Sequence, residues 1–298
     1  MLLLRSMLYM PAYKRKFFTK IHELDADAVI FDLEDSVPPQ FKQEGRENLR
    51  EFLRDYEPDE NEKKLLVRLN SIESGLLLED LEYVLSPKVW GLMPTKIYSN
   101  EDMIYYDKLI AQYERDKGLP HGHFAFVPLI ETASAVLDAF RIAGSSRRVK
   151  ALAFGGEDYL NDMGGFHGTP PKGLDYPREQ IAVAARSAGA LPIDTPYLKI
   201  HDASGFREEE RLSFELGFAG VQCLSPAQVL LANECFLPTE DEVRESLGIV
   251  SAIEASSREG SGVAMYNGSM IGPPMERRAR KVLELLAASQ KGRKIDEQ

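Results

Sequence analysis

Glu131 and Asp158 each close a short apolar run: Phe124-Ala125-Phe126-Val127-Pro128-Leu129-Ile130-Glu131 and Val149-Lys150-Ala151-Leu152-Ala153-Phe154-Gly155-Gly156-Glu157-Asp158. A near-continuous apolar stretch of this length is the pattern of a strand covered on both faces. A carboxylate just past such a strand stands at the C-terminal edge of the sheet, where α/β proteins hold their ligands. Two acids there, with few nitrogen or sulfur donors, suit a hard cation such as Mg2+. The competing reading makes both acids helix N-caps, a place they would fill equally well. The two runs alone leave both readings open.

Other polar residues fall at expected strand ends: Arg5 ahead of the first strand, then Glu34, Asp35, Arg68, Asn70, Lys96, His201 and Asp202. Arg68, within Val67-Arg68-Leu69-Asn70, can grip a carboxylate with both arms or steady an oxygen that gains charge. A plain salt bridge to Asp32 or Glu34 is the alternative. In Asp32-Leu33-Glu34-Asp35, alternation points Asp32 and Glu34 one way and Asp35 toward the loop. One of these acids is expected to order metal-bound water from behind the ligands, another to cap the following helix. Glu34 and Asp35 thus join Arg68 as catalytic candidates. Gly155-Gly156 lacks a Gly-x-Gly-x-x-Gly context, and Gly-x-Ser-x-Gly is absent. His201 reads as a core histidine rather than a base.

These residues need a scaffold that gathers strand ends. Strand-like runs lie near Met7–Pro11, Ala28–Asp32, Leu65–Asn70, Val89–Pro94, Ala125–Ile130, Ala151–Gly155, Tyr197–His201 and Gly220–Leu224. Amphipathic stretches separate them: Phe41–Leu53, Leu76–Leu85, Met103–Tyr113, Ala133–Ala143, Arg178–Ala188 and Glu208–Leu216. The alternation predicts parallel strands with right-handed crossovers, and the count fits a (β/α)8 TIM barrel over residues 1–235. Beyond Pro226 the pattern is helix only, giving a C-terminal helical extension or lid over 236–298. Glu240–Arg258 and Met275–Ala288 are its helices, joined by a loop holding Gly260, Gly262 and Gly268, and a polar tail follows Gln290.

The 298 residues are 44% apolar and 28% charged, a globular composition, and the formal net charge of -11 argues against nucleic-acid binding. The two cysteines give neither a disulfide framework nor metal-ligand spacing, and Cys223 sits in an apolar run that suits a core. Met1-Leu2-Leu3-Leu4-Arg5 is too short for a signal peptide, and no run reaches the roughly 18 apolar residues of a membrane span. Cytoplasmic residence is the expectation.

In this order, the motifs resemble those of the HpcH/HpaI aldolase superfamily, the group of the citrate lyase beta subunit, malyl-CoA lyase and citramalyl-CoA lyase. The resemblance runs from Arg5 to about Ala288. It rests on Arg5-Ser6-Met7-Leu8-Tyr9-Met10-Pro11, on Asp32-Leu33-Glu34-Asp35-Ser36-Val37 followed by Lys42 and Arg46, and on Val67-Arg68-Leu69-Asn70. Pro128-Leu129-Ile130-Glu131-Thr132, Phe154-Gly155-Gly156-Glu157-Asp158, Leu216-Gly217-Phe218-Ala219-Gly220 and Gly268-Ser269-Met270-Ile271 complete it. It implies a Mg2+-dependent TIM barrel that makes or breaks a carbon–carbon bond beside a 2-oxo acid such as glyoxylate, pyruvate or oxaloacetate. Glu131 and Asp158 then hold the metal and Arg68 steadies the oxygen gaining charge. Arg5, Arg68, Lys42, Arg46, Gly155 and Gly156 are the implied substrate-binding residues. A trimer or hexamer, with a C-terminal segment over the neighbour's site, is also implied.

The chain departs from the family pattern in places. Gly272 stands where relatives using CoA thioesters carry an Asp acid/base. Ala12 replaces a turn glycine, Thr95 intervenes before Lys96, and Leu224-Ser225-Pro226 replaces Ile-His-Pro. The metal half is thus kept while the acyl-CoA half is altered, which implies a non-standard acyl partner. Glu254, Glu276 or a metal-bound hydroxide are the substitutes for the missing base. Two further readings are a non-catalytic metal- and oxo-acid-binding or regulatory homologue, and a subunit of a carrier-bound lyase complex.

Overall fold

A computed structural model describes residues 1–58, 63–168 and 172–291. The polar tail, apart from the backbone of Lys291, lies outside the described residues. The chain divides into two compact units: Leu4–Phe236, and Met1–Leu3 with the residues from Leu237 onward.

The larger unit alternates strands and helices in chain order: β1 (Ser6–Pro11), β2 (Ala28–Asp32), α1 (Lys42–Asp55), β3 (Lys64–Arg68), α2 (Leu77–Val84), β4 (Gly91–Met93) and α3 (Asn100–Lys117). Then follow β5 (Ala125–Phe126), β6 (Leu129–Ile130), α4 (Ala133–Gly144), β7 (Ala151–Phe154), α5 (Gly156–Asp162), α6 (Asp175–Ser187), β8 (Leu191–Asp194), α7 (Ala203–Leu216), β9 (Gly220–Cys223) and α8 (Pro226–Cys235). All neighbours in the sheet are parallel, in the order β5-β4-β3-β2-β1-β9-β8-β7-β6. The two ends of that order, β5 and β6, are halves of one stave interrupted at Val127-Pro128. Val127 and Leu129 donate to the Leu92 and Pro94 carbonyls on one side, while the Phe126 and Pro128 carbonyls accept from Lys150 and Ala153 on the other. The sheet therefore closes, and the expected (β/α)8 barrel is present.

Alternation sorts each stave's side chains. Leu8, Met10, Val29, Phe31, Leu65 and Val67 pack with helix residues such as Leu49, Leu53 and Leu81 in one apolar layer. Tyr9, Ile30, Asp32 and Arg68 take the opposite, inward face. In register, Tyr9 lies beside Ile30 and Asp32 beside Arg68, so pairing alone sets that ion pair at the mouth of the barrel. The tightest approach of strands is at Gly220, where a Cβ would lie 1.8 Å from the Leu4 carbonyl oxygen. Gly220→Ala is expected to cost at least about 2 kcal/mol, since backbone must shift to admit the methyl group. Urea melts read this as a lowered midpoint, and an unchanged midpoint would contradict the close approach.

One strand is misplaced by sequence reasoning. The seventh stave is Leu191–Asp194, not Tyr197–His201. Leu198, Ile200 and His201 lie in an exposed loop, and Asp202 caps α7 through the Gly205 N–H. His201 is therefore a surface residue and not a core one. Cys223 is fully buried, as expected. No described helix is long and apolar enough to cross a membrane.

The smaller unit contains α9 (Glu240–Arg258), β10 (Ala264–Tyr266), β11 (Ser269–Ile271) and α10 (Pro273–Lys291). Ile249, Ile253, Ile271 and Ala279 form its core. A helix-only extension was expected, but β10 and β11 make an antiparallel hairpin turned by Asn267 (φ 47°) and Gly268 (φ 78°). Two positive φ angles in an Asn-Gly pair are the signature of a tight hairpin turn.

Candidate active site

Asp32, at the end of β2, organises one side of the barrel mouth. It is fully buried and accepts both arms of Arg68, Nε at 2.7 Å and a terminal nitrogen at 2.6 Å, plus the backbone N–H groups of Glu34 and Ser36. Burial alone would raise the Asp32 pKa, but the Arg68 charge and these hydrogen bonds hold it below the usual carboxylate value. The remaining nitrogen of Arg68 lies 3.1 Å from Glu34 and 3.9 Å from Asp35. The guanidinium also sits 4.9 Å over the Tyr9 ring, whose hydroxyl donates to Gln222. Gln222 in turn donates to the Phe154 and Asp194 carbonyls, so this face is locked in place. Burial pushes the Glu34 carboxyl up to about 7, with Arg68 opposing. Asp35 points largely to solvent.

The opposite side carries Glu131 and Asp158. Thr132, not Glu131, caps α4, accepting from the Ala135 N–H. Asp158 lies inside the first turn of α5, where its Oδ1 meets Lys96 rather than a backbone amide. The helix-cap reading of this pair therefore fails. Glu131 is 1% exposed, its Oε1 accepts the Lys96 N–H at 2.6 Å, and its Oε2 is buried with no partner among the described residues. Burial pushes this carboxyl up to about 8, against the pull of the Lys96 charge. The Lys96 ammonium reaches Asp158 at 2.5 Å, Glu131 at 3.7 Å and Glu34 at 3.9 Å. Burial works against that charge, yet the three carboxylates together hold the Lys96 pKa above its usual value.

Glycines make room for this arrangement. Ile130 and Phe154 are partners in register, so Glu131 and Gly155 follow side by side beyond the ladder. A Cβ at Gly155 would meet the Glu131 Cβ at 2.6 Å and its Oε2 at 2.9 Å; one at Gly156 would meet the Thr195 hydroxyl at 2.8 Å. Between the two sides opens a pocket of about 290 Å³, bordered by Tyr9, Arg68, Glu131, Gly155, Asp158 and Leu224 among others. A larger hollow of about 390 Å³, near Phe18, His22, Phe52 and Tyr56, has no comparable convergence of buried charge, so the smaller one is the candidate site.

Among the described residues, no three histidine, cysteine or carboxylate side chains gather closely enough to cage a metal by themselves. The donor set nevertheless fits Mg2+: two carboxylates, one with an oxygen unpartnered among the described residues, border one pocket, and Mg2+ keeps several water or substrate ligands as a rule.

Three expected substrate residues are not brought to this pocket. Arg5 precedes β1 and so belongs to the opposite rim, where Asp27 takes its guanidinium at 2.7 and 2.9 Å. Lys42 spends its ammonium on the Leu33 and Glu34 carbonyls and the Asn70 amide oxygen. Arg46 is buried against Asp80, which accepts from Asn70. Lys42 and Arg46 therefore support the loop that carries Glu34 instead of lining the cavity. Glu254 and Glu276 are both paired with Arg280 inside the smaller unit. Thr95 donates to the Leu69 carbonyl, Ser225 caps α8, and Ala12 is fully buried. Tyr9, Gln222 and Thr195 were missed by sequence reasoning. Only the inward alternation of β1 and β9 could have pointed to the first two.

Known proteins resemble this chain in sequence and fold. A model of the HpcH/HpaI aldolase/citrate lyase family covers residues 5–226. The citrate lyase subunit beta of Leuconostoc mesenteroides subsp. cremoris is 31% identical over 285 residues, spanning 96% of this chain and 94% of its own. The protein CitE from Mycobacterium tuberculosis, solved with magnesium, acetoacetate and coenzyme A, superposes with a TM-score of 0.75 at 25% identity, over 95% of this chain and 97% of that one. The citrate lyase beta subunit of the same organism, complexed with oxaloacetate and magnesium, gives 0.63 at 26% identity over 79% and 99%. With the barrel and these matches in agreement, the chain belongs to the HpcH/HpaI aldolase/citrate lyase family.

Proposed function

We propose that this protein is a Mg2+-dependent carbon–carbon lyase that makes or breaks the bond beside a small 2-oxo acid such as glyoxylate, pyruvate or oxaloacetate. The observation that carries the reading is Glu131, buried with one oxygen unpartnered among the described residues, on the border of the same pocket as Asp158 and Arg68. Glu131 and Asp158 would hold the ion, which when bound supplies Lewis-acid polarisation of the acid's oxygens. Arg68, locked in orientation by Asp32, offers its remaining arm to the oxygen that gains charge. Glu34, which sits near neutrality and touches both Arg68 and Lys96, is placed to hold or pass a proton; Asp35 orders water at the rim. Gly155 and Gly156 keep the pocket wall flat against the substrate.

Relatives complexed with magnesium and oxaloacetate, or with magnesium, acetoacetate and coenzyme A, support this assignment. The acyl half is the less ordinary part. Gly272 can carry no proton, so the partner fragment differs from a short acyl-CoA handled by an aspartate acid/base. The same reading includes self-association: Leu137 and Phe140 on α4 and Val183 on α6 stand exposed as apolar side chains that a second copy would cover.

Calorimetry tests the core of the proposal. Pyruvate, oxaloacetate or glyoxylate is expected to bind only with Mg2+ present, and Glu131→Ala is expected to abolish that binding. Metal-independent binding, or an unaffected variant, would refute the assignment. Robust cleavage of malyl-CoA or citramalyl-CoA would overturn the unusual acyl partner while keeping the lyase.

A further inference from the structure

We propose that Lys96 is a tethered cation that occupies the carboxylate pair in the resting protein and must swing out when the divalent metal enters, so that it sets the metal affinity. This rests on the reading of Glu131 and Asp158 as metal-holding residues. It assigns to Lys96 a role distinct from binding substrate.

The first support is position. One ammonium faces three carboxylates, at 2.5 Å from Asp158, 3.7 Å from Glu131 and 3.9 Å from Glu34. Mg2+ sits about 2.0–2.1 Å from its oxygen ligands. An ammonium already on Asp158 Oδ1 competes for that oxygen, and two cations do not share so small a space without strong repulsion. Occupation by metal and occupation by Lys96 therefore exclude each other at Asp158.

The second support is backbone strain. Lys96 has φ 50°, and Asn267 is the only other non-glycine with positive φ among the described residues. Asparagine tolerates that region; an unbranched lysine enters it at a cost. Such strain persists where surrounding bonds over-determine it and is concentrated at functional sites. Here the Lys96 N–H is held by Glu131 Oε1 at 2.6 Å, and the preceding Thr95 hydroxyl by the Leu69 carbonyl. The same carboxylate thus grips the backbone of Lys96 and faces its ammonium. The third support is mobility of the right kind. The Lys96 side chain keeps 25% of its surface in solvent, and a four-carbon stem lets the ammonium leave while the backbone stays anchored.

Mn2+ titration followed by electron paramagnetic resonance, with Mg2+ calorimetry beside it, tests the exchange on the full chain. Lys96→Met removes the charge but keeps the stem, and is expected to bind metal about tenfold or more tighter than wild type. Lys96→Arg keeps a cation and is expected to bind no tighter than wild type. Equal or weaker binding by Lys96→Met overturns the exchange and leaves the metal reading intact. Absence of binding in both wild type and Lys96→Met overturns both. A readout that needs no variant is the rate at which acetic anhydride acetylates Lys96, measured by mass spectrometry. That rate is expected to rise several-fold on adding Mg2+, and an unchanged or lower rate rejects the proposal.

Discussion

Arg68→Lys is expected to leave a folded barrel whose turnover, once the substrate is in hand, falls by at least about 100-fold, the usual cost of losing one preorganised donor to a developing oxyanion. Arg68 meets Asp32 through two parallel bonds and still has an arm free for Glu34. A lysine keeps the charge but has a single ammonium, which can satisfy Asp32 or reach toward the pocket but not both. Arg68→Met goes further. It strands a fully buried Asp32 without its counter-charge, a loss worth about 3–5 kcal/mol when one partner of a buried pair is removed. Denaturant melts and steady-state kinetics separate the two effects. Near-wild-type stability of Arg68→Met would contradict the burial of Asp32, and near-wild-type turnover of Arg68→Lys would remove Arg68 from the chemistry.

Glu210→Met is expected to stabilise the protein by about 1–3 kcal/mol at pH 7, the usual cost of a buried polar group left without partners. Glu210 lies on α7, fully buried, and neither of its oxygens has a hydrogen-bond partner. Burial raises its pKa well above 4.5; Asp194 and Glu209 add to the rise, and only Arg178, already shared with those two acids, opposes it. Burial pushes up the thiols of Cys223 and Cys235 as well, and the same carboxyl adds to that rise. A carboxyl of this kind keeps its proton in the folded state where the unfolded chain has released it. Folding is therefore most favoured below pH 4.5 and weakens as pH climbs toward the folded value, by about 1.4 kcal/mol per unit for this one group. Methionine, of similar length and apolar, removes this penalty together with the orphaned oxygens. Melts at pH 4 and pH 7 are expected to show a smaller advantage for the variant at the lower pH. A constant advantage would mean the gain is packing alone.

The sequence was most legible where one physical pattern dominated. β2 reads Ala-Val-Ile-Phe-Asp, buried at every position, and its bounds match the expectation, as do those of α9 between its Thr239 cap and Arg258. The seventh stave was hidden because Pro192, which gives no N–H, disfavours a strand, while the apolar Tyr197, Leu198 and Ile200 imitate one nearby. The hairpin of the smaller unit was missed although Asn267-Gly268 carried the signal, because the surrounding glycines suggested a loop. In the site, the acids at strand ends could be read directly. The fates of Arg5, Lys42 and Arg46 could not, since a cation in a motif looks the same whether it faces a ligand or ties down a loop. Side-chain partners such as Asp27, Asn70 and Asp80 come from distant segments, and only three-dimensional packing decides between those uses.

Pro128 interrupts the stave at which the ring of strands meets itself, and it can give no amide proton to β7. Every other stave is one continuous strand; this one is two dipeptides, the first bonded mainly to β4 and the second to β7. The cylinder therefore has a seam, and three residues past the proline stands Glu131. A ligand bridging Glu131 to Asp158 would span the β6–β7 junction like a clasp, so occupancy of the pocket and the integrity of the cylinder would rise and fall together.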